Sequence, residues 1–214
     1  MTRRSSLGRD DGAAVIVALL TTMLLAGVGA MLITIATTET LISGSLRHSE
    51  EAAYAAESAF DRALHDLDSI PDWSVVLLPP PANLPSSFSD GQENGLAPDG
   101  RTLNLQQLTT LRQAASLQSS GPTVFGPDAP AWRLFAHAQF SSILPSGTAA
   151  PAAYLVVWLA DDGWDGDGEV SADSNGRLLV HAEAFGAHGA HRIVSGVIER
   201  DADGVLQVLT RRRH

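Results

Sequence analysis

Residues 13–38, AAVIVALLTTMLLAGVGAMLITIATT, contain no charged residue and no proline. The run exceeds the roughly 20 apolar residues needed to cross a hydrocarbon core, and it is too long for the apolar core of a cleaved secretory signal, about 7 to 15 residues. Beyond Glu39 the pattern changes without stopping. Ala53, Ala56, Phe60, Ala63, Leu64 and Leu67 recur every three or four residues, with Glu50, Glu57, Asp61, Arg62 and Asp66 off that stripe. This is the apolar stripe of an amphipathic helix. The two patterns together predict one helix over residues 13–68, apolar all round in its first half and amphipathic in its second. At 1.5 Å per residue it would be about 80 Å long.

Pro71 closes that helix. Pro79, Pro80, Pro81 and Pro85, a Ser-rich stretch and the glycines from Gly91 to Gly100 predict an irregular connection over residues 69–130. It contains one short helix at about residues 104–117, with Leu105, Leu108 and Leu111 on one face and Asn104 with Gln107 as a capping pair. Trp132, Leu134, Ala136, Ala138 and Phe140 then alternate with Arg133, His137 and Gln139, as in a half-buried strand. Residues 154–160 are apolar almost throughout and predict a central strand buried on both faces. Strands at 178–185, 191–200 and 205–210 follow, separated by Gly-containing turns, which implies an antiparallel meander. The fold class is α+β: a long N-terminal hydrophobic helix followed by a globular domain whose antiparallel sheet occupies residues 131–214.

A chain of 214 residues suits one anchor and one modest domain. Its net charge of −10 argues against nucleic acid as the partner, because phosphate neutralisation supplies most of that affinity. The one basic cluster, Arg211 to Arg213, reads either as a solvated tail or as a docking site for an acidic partner. The absence of Cys excludes disulfides, Cys-zinc sites and thiol catalysis. Arg3, Arg4 and Arg9 precede the apolar run, whereas Glu39, Glu50, Glu51 and Glu57 follow it around a lone Arg47. The positive-inside rule then puts the N-terminus in the cytoplasm and the bulk of the chain outside. Gly27 and Gly29 interrupt the span, where small residues let neighbouring helices approach.

Two clusters carry candidate chemistry. Asp161, Asp162, Asp165, Asp167, Glu169 and Asp173 gather oxygen ligands around flexible glycines, a composition that suits calcium, although the EF-hand spacing fails. The alternative is a solvated turn at the rim of the sheet. His181, Glu183, His188 and His191 have transition-metal character, and His181 with Glu183 share a strand face, but His188 falls in a turn, and satisfied or exposed histidines account for the group better than a metal does. No nucleophile elbow, phosphate loop or His-Glu-x-x-His pair is present, so nothing in the sequence points to an enzyme.

A short leader ending in Gly12, an apolar helix from the next residue, an amphipathic continuation and a C-terminal antiparallel sheet together resemble the type IV pilin superfamily. Within it, Thr38, Glu39, Leu41, Gly44, Leu46 and Arg47, followed by Ala55, Ala56, Glu57, Ser58 and Ala59, are similar to the motif of the PilX-type minor pilins. The segment over residues 161–200 is similar to the ends of pilus-assembly proteins of this kind. The resemblance implies that residues 1–12 are a leader, that a prepilin peptidase cuts between Gly12 and Ala13, and that Ala13 is methylated. It implies storage as a single-pass protein of the inner membrane and later incorporation into a pilus, with other pilin subunits and an inner-membrane assembly platform as partners and cell adhesion among the uses of the filament. Val17 and Glu39 are the assembly positions. Major pilins carry Glu where this chain has Val17, the fifth residue after the cut, so the resemblance fits a minor or initiating subunit. A pseudopilin of a type II secretion system and a bitopic periplasmic binding module that never polymerises are the alternatives.

Overall fold

In the computed structural model the chain is described over residues 10–78, 86–119, 130–164 and 168–214. The patterns from residue 131 onward close into one five-stranded antiparallel sheet in the order β3-β4-β5-β6-β7. Its strands are β3 (Arg133–Gln139), β4 (Ala153–Asp161), β5 (Arg177–Gly186), β6 (His191–Arg200) and β7 (Leu206–Arg213). Each strand pairs with its neighbour in sequence, as a meander requires, with Trp158 opposite His181, Glu183 opposite Ile193 and Gly196 opposite Arg211. Every residue of β4 is buried, which explains its unbroken apolar run: both faces of this strand are covered.

The helix α1 (Asp10–Asp68) is continuous, and the chain divides into two units at its middle, Met1–Leu46 and Arg47–His214. In the second unit α1 lays Ala55, Ala56, Ala59, Phe60, Ala63 and Leu67 against one sheet face, where they meet Leu155, Val157, Leu178, Val180, Val194 and Ile198. The small side chains set the distance of approach. A Cβ on Gly186 would lie 3.2 Å from Ala52 Cβ, and one on Gly196 would lie 2.9 Å from Phe60 Cζ, so two glycines of the sheet make room for the helix. The C-terminus of α1 is closed by Arg200, whose guanidinium donates to Leu67 O and Ile70 O at 2.8 Å each and lies 4.5 Å from the Trp73 ring centroid. A cation there complements the helix dipole and satisfies carbonyls left without intrahelical partners.

The other sheet face carries Tyr154, Val156, Trp158, Leu179 and Phe185 and is covered by α3 (Leu105–Ser119). Asn104 Oδ1 accepts from Gln107 N at 2.7 Å, the expected cap. Three expectations are corrected. Leu111 is 58% exposed, because α3 turns polar groups inward instead: Thr109 Oγ1 accepts from Trp158 Nε1 at 2.8 Å, Ser116 Oγ accepts from Trp132 Nε1 at 2.5 Å, and Gln113 Oε1 accepts from Trp132 N at 3.0 Å. Asp66 belongs to the buried side of α1, where Ser87 N donates to it at 2.7 Å and Ser86 Oγ at 3.0 Å. Arg211 to Arg213 form the end of β7 instead of a tail, with Arg211 and Arg213 both ion-paired to Glu57 of α1. The connection between α1 and β3 also holds elements that its irregular composition conceals: α2 (Ser74–Leu77) and a hairpin of β1 (Asn94–Leu96) with β2 (Thr102–Asn104). Pro79, Pro80, Pro81 and Pro85 lie outside the described residues.

Candidate functional site

The first unit is a helix without a core of its own. Gly12 and Ala13 lie in its first turns, and Arg3, Arg4 and Arg9 fall outside the described residues. Val15, Ile16, Leu19, Leu20, Met23, Leu24, Leu25, Met31, Leu32 and Ile33 are each more than half exposed, on every side of the helix. Among the described residues this is the one helix long and apolar enough to cross a membrane. Its polar side chains are hidden from an apolar surround by local hydrogen bonds. Thr21 Oγ1 donates to Val17 O at 2.7 Å, Thr34 Oγ1 to Ala30 O at 3.0 Å and Thr38 Oγ1 to Thr34 O at 2.9 Å, so each hydroxyl is satisfied within its own helix. Val17 is 62% exposed, Glu39 is exposed, and none of the described residues lies within 4 Å of where a Cβ would stand at Gly27, Gly29 or Gly44. A surface of this kind can exchange contacts with lipid tails for contacts with other apolar helices at little hydrophobic cost.

The acidic loop is only partly an array of open carboxylates. Asp161 and Asp162 are buried at the end of β4, and Asp162 Oδ1 accepts from Trp164 N at 3.2 Å and from Asn175 Nδ2 at 3.1 Å. Asp173 Oδ1 accepts from Gly176 N at 2.8 Å and Arg177 N at 3.2 Å, closing the turn into β5. Burial pushes the Asp173 carboxyl above its usual range, against the pull of these backbone donors. Glu169 is exposed, and Asp165 and Asp167 lie outside the described residues. Among the described residues no three His, Cys, Asp or Glu side chains converge to hold a metal ion.

His191 joins the pair on β5, and His188 does not. His181 Nε2 and His191 Nε2 meet the two oxygens of Glu183 at 2.9 and 2.8 Å beneath α3, with Arg112 Nη1 3.4 Å from His181 Nε2. Burial would raise the Glu183 carboxyl, but the hydrogen bonds of both imidazoles hold it at about 2; burial also pushes His181 below its usual value. His188 stands apart in the β5–β6 turn at φ 54°, its ring 4.6 Å from that of His48. The cluster missed by sequence reading is on the same face: Tyr154, Asp90, His137 and Ser89, which come from three separate segments. The signal available was His137 itself, a titratable residue in a strand pattern with apolar neighbours.

Residues 11–61, about a quarter of the chain, match the family model described as PilX N-terminal. The matched segment spans the apolar stem and the first part of the α1 surface that packs on the sheet, as far as Phe60. Neither the curated proteins nor the solved structures contain a match to this chain.

Proposed function

From the premise that residues 11–61 make this chain a PilX-type type IV pilin, we propose that it is a minor structural subunit, stored in the inner membrane and incorporated into a filament or priming one. The observation that carries this reading is the charge-free stem over residues 13–38, exposed on all sides and joined by one unbroken helix to a folded domain. In this reading residues 1–12 are the leader, residues 13–68 the stem helix, residues 69–130 the connection and residues 131–214 the sheet domain. A prepilin peptidase cuts after Gly12, and Ala13 becomes the methylated N-terminus. The N-terminus faces the cytoplasm, and the domain is extracytoplasmic until assembly carries it into the pilus.

Val17 supports a subunit present in few copies. A lone carboxylate at that depth in lipid costs several kcal/mol, so Val simplifies storage in the membrane, and it removes a pairing with the N-terminal amine of a neighbour. Such a subunit accepts neighbours through packing alone, as a first-placed or occasional member of a filament does. Glu39 stands at the outer end of the uncharged run, where a charge marks the border of the apolar bundle. The partners are other pilin or minor pilin subunits, the prepilin peptidase and the inner-membrane assembly platform.

Gly12→Glu tests the proposal, because a charged, bulky residue before the scissile bond blocks the peptidase. The variant is expected to stay in the membrane at full length and to leave pilus number as low as deletion of the gene does. Normal piliation by an uncleaved Gly12→Glu chain would overturn it.

A further inference from the structure

We propose that Ser89 is an activated nucleophile that takes the acyl group of a surface-presented ester, with His137 as its general base and Asp90 as the carboxylate that positions the base. The three groups meet although His137 lies 48 residues from Ser89 in the chain. A single bridge sets residue 89 alongside β3, and Asp90 N donates to His137 O at 3.0 Å, fixing the two backbones side by side.

The side chains then form a directed chain of hydrogen bonds. His137 Nδ1 lies 2.9 Å from Asp90 Oδ1 and 3.1 Å from the Tyr154 hydroxyl, while that hydroxyl donates to Asp90 Oδ2 at 2.8 Å. A carboxylate has no proton to give, so Nδ1 carries the ring hydrogen and Nε2 keeps its lone pair. Nε2 meets the Ser89 hydroxyl at 3.4 Å, a separation that suits an unloaded site whose catalytic hydrogen bond shortens when substrate arrives. Burial, opposed by Asp90, pushes His137 below the usual imidazole value and keeps it neutral at pH 7, ready to accept a proton. Asp90 and Tyr154 alone satisfy a buried histidine through Nδ1. The hydroxyl on the second nitrogen belongs to an exposed residue, and this is the arrangement of a nucleophile, its base and the group that orients the base.

The approach is open. Gly91, at φ +69°, has no described atom within 4 Å of where a Cβ would stand, and its N–H donates to Ser89 Oγ at 3.4 Å, a turn bond that helps orient the attacking hydroxyl. Ser89 is exposed, so the site suits a small acyl or aryl ester held at the surface. In the reaction Ser89 Oγ attacks the ester carbonyl carbon while its proton passes to His137 Nε2. The bond to the alcohol breaks, and the alcohol leaves with that proton. Water, deprotonated by His137, then splits the acyl-serine to release a carboxylic acid.

The test uses the full chain in detergent, an alkyl fluorophosphonate and the intact mass with peptide mapping. One adduct at Ser89 is expected, absent in Ser89→Ala and slowed about 100-fold in His137→Gln and at least about tenfold in Asp90→Asn. The labelling rate should be flat from pH 7 to 9 and fall only where His137 becomes protonated, below the usual imidazole range. An ordinary serine is instead driven by hydroxide and labels tenfold faster per pH unit. Absence of the Ser89 adduct, a rate that climbs through pH 9, or equal labelling of folded Asp90→Asn would overturn the proposal. Processing at Gly12 affects none of these readouts.

Discussion

Arg211 of β7 lies over the ring of Phe60 of α1, 4.6 Å from its centroid, and donates to Asp61 Oδ1 at 2.9 Å. The final strand of the sheet is therefore fastened to the segment that continues the apolar stem. Arg213 adds a second contact through Glu57, and Gly196 beneath them leaves room for the Phe60 ring. Arg211→Ala loses a cation–π contact and partly exposed ion pairs to Glu57 and Asp61, a cost of about 1 to 2 kcal/mol. Thermal melting of the full chain in detergent should show a decrease of about 2 to 6 °C. Arg212→Ala, whose side chain is on the opposite face of β7, should melt like the unaltered protein.

The same packing decides which fragment folds. Phe60, Ala63 and Leu67 are fully buried and belong to the main core, so a chain starting at residue 71 exposes one sheet face. We expect the fragment 47–214 to give a cooperative melt by circular dichroism and the fragment 71–214 to give none.

Acid should weaken the domain in two steps. His181 and His137 are pushed by burial below the imidazole value they have in the unfolded chain, so the unfolded state takes up protons that the folded state refuses. Their contribution is complete above about pH 6.5 and declines below it. Glu183, held at about 2, adds a second loss between about pH 4.5 and 2. Asp173, raised by burial, acts in the opposite direction near its own range and softens the lower step. Urea midpoints measured from pH 8 to 3 should fall first below 6.5, and Glu183→Gln should flatten the lower step.

At the acidic loop, Asp162 and Asp173 already accept backbone and side-chain donors that close the turn. Asp173→Ala removes those bonds and should lower the melting temperature whether or not calcium is present. For the unaltered chain, millimolar calcium should move melting by less than about 1 °C; a larger rise, abolished in Asp165→Ala or Asp167→Ala, would instead establish an ion at this loop.

How far the sequence discloses this molecule depends on the kind of pattern each part carries. The stem and the strands of the meander are legible because burial there follows a fixed period in apolar residues, as in α1 at Ala56, Phe60, Ala63 and Leu67. The inner face of α3 is not, because its polar residues find partners far away in the chain: Thr109 and Ser116 accept from the indole N–H groups of Trp158 and Trp132, Gln113 accepts from the Trp132 backbone N–H, and Arg112 lies over the Trp132 ring. Arg211 to Arg213 look like a tail since an edge strand ending in charges lacks the alternation of a buried one. Ser89, Asp90 and His137 are the least legible. No spacing rule joins residues 89 and 137, and only the bridge beside β3 brings them together.

Cleavage at the Gly12–Ala13 junction distinguishes a pilin subunit from a membrane-anchored domain that never polymerises. The decisive measurement is the mass of the mature N-terminus, taken from cells with an active prepilin peptidase. A chain beginning at methylated Ala13 is the predicted result; an intact, unmethylated chain still beginning at Met1 would contradict it.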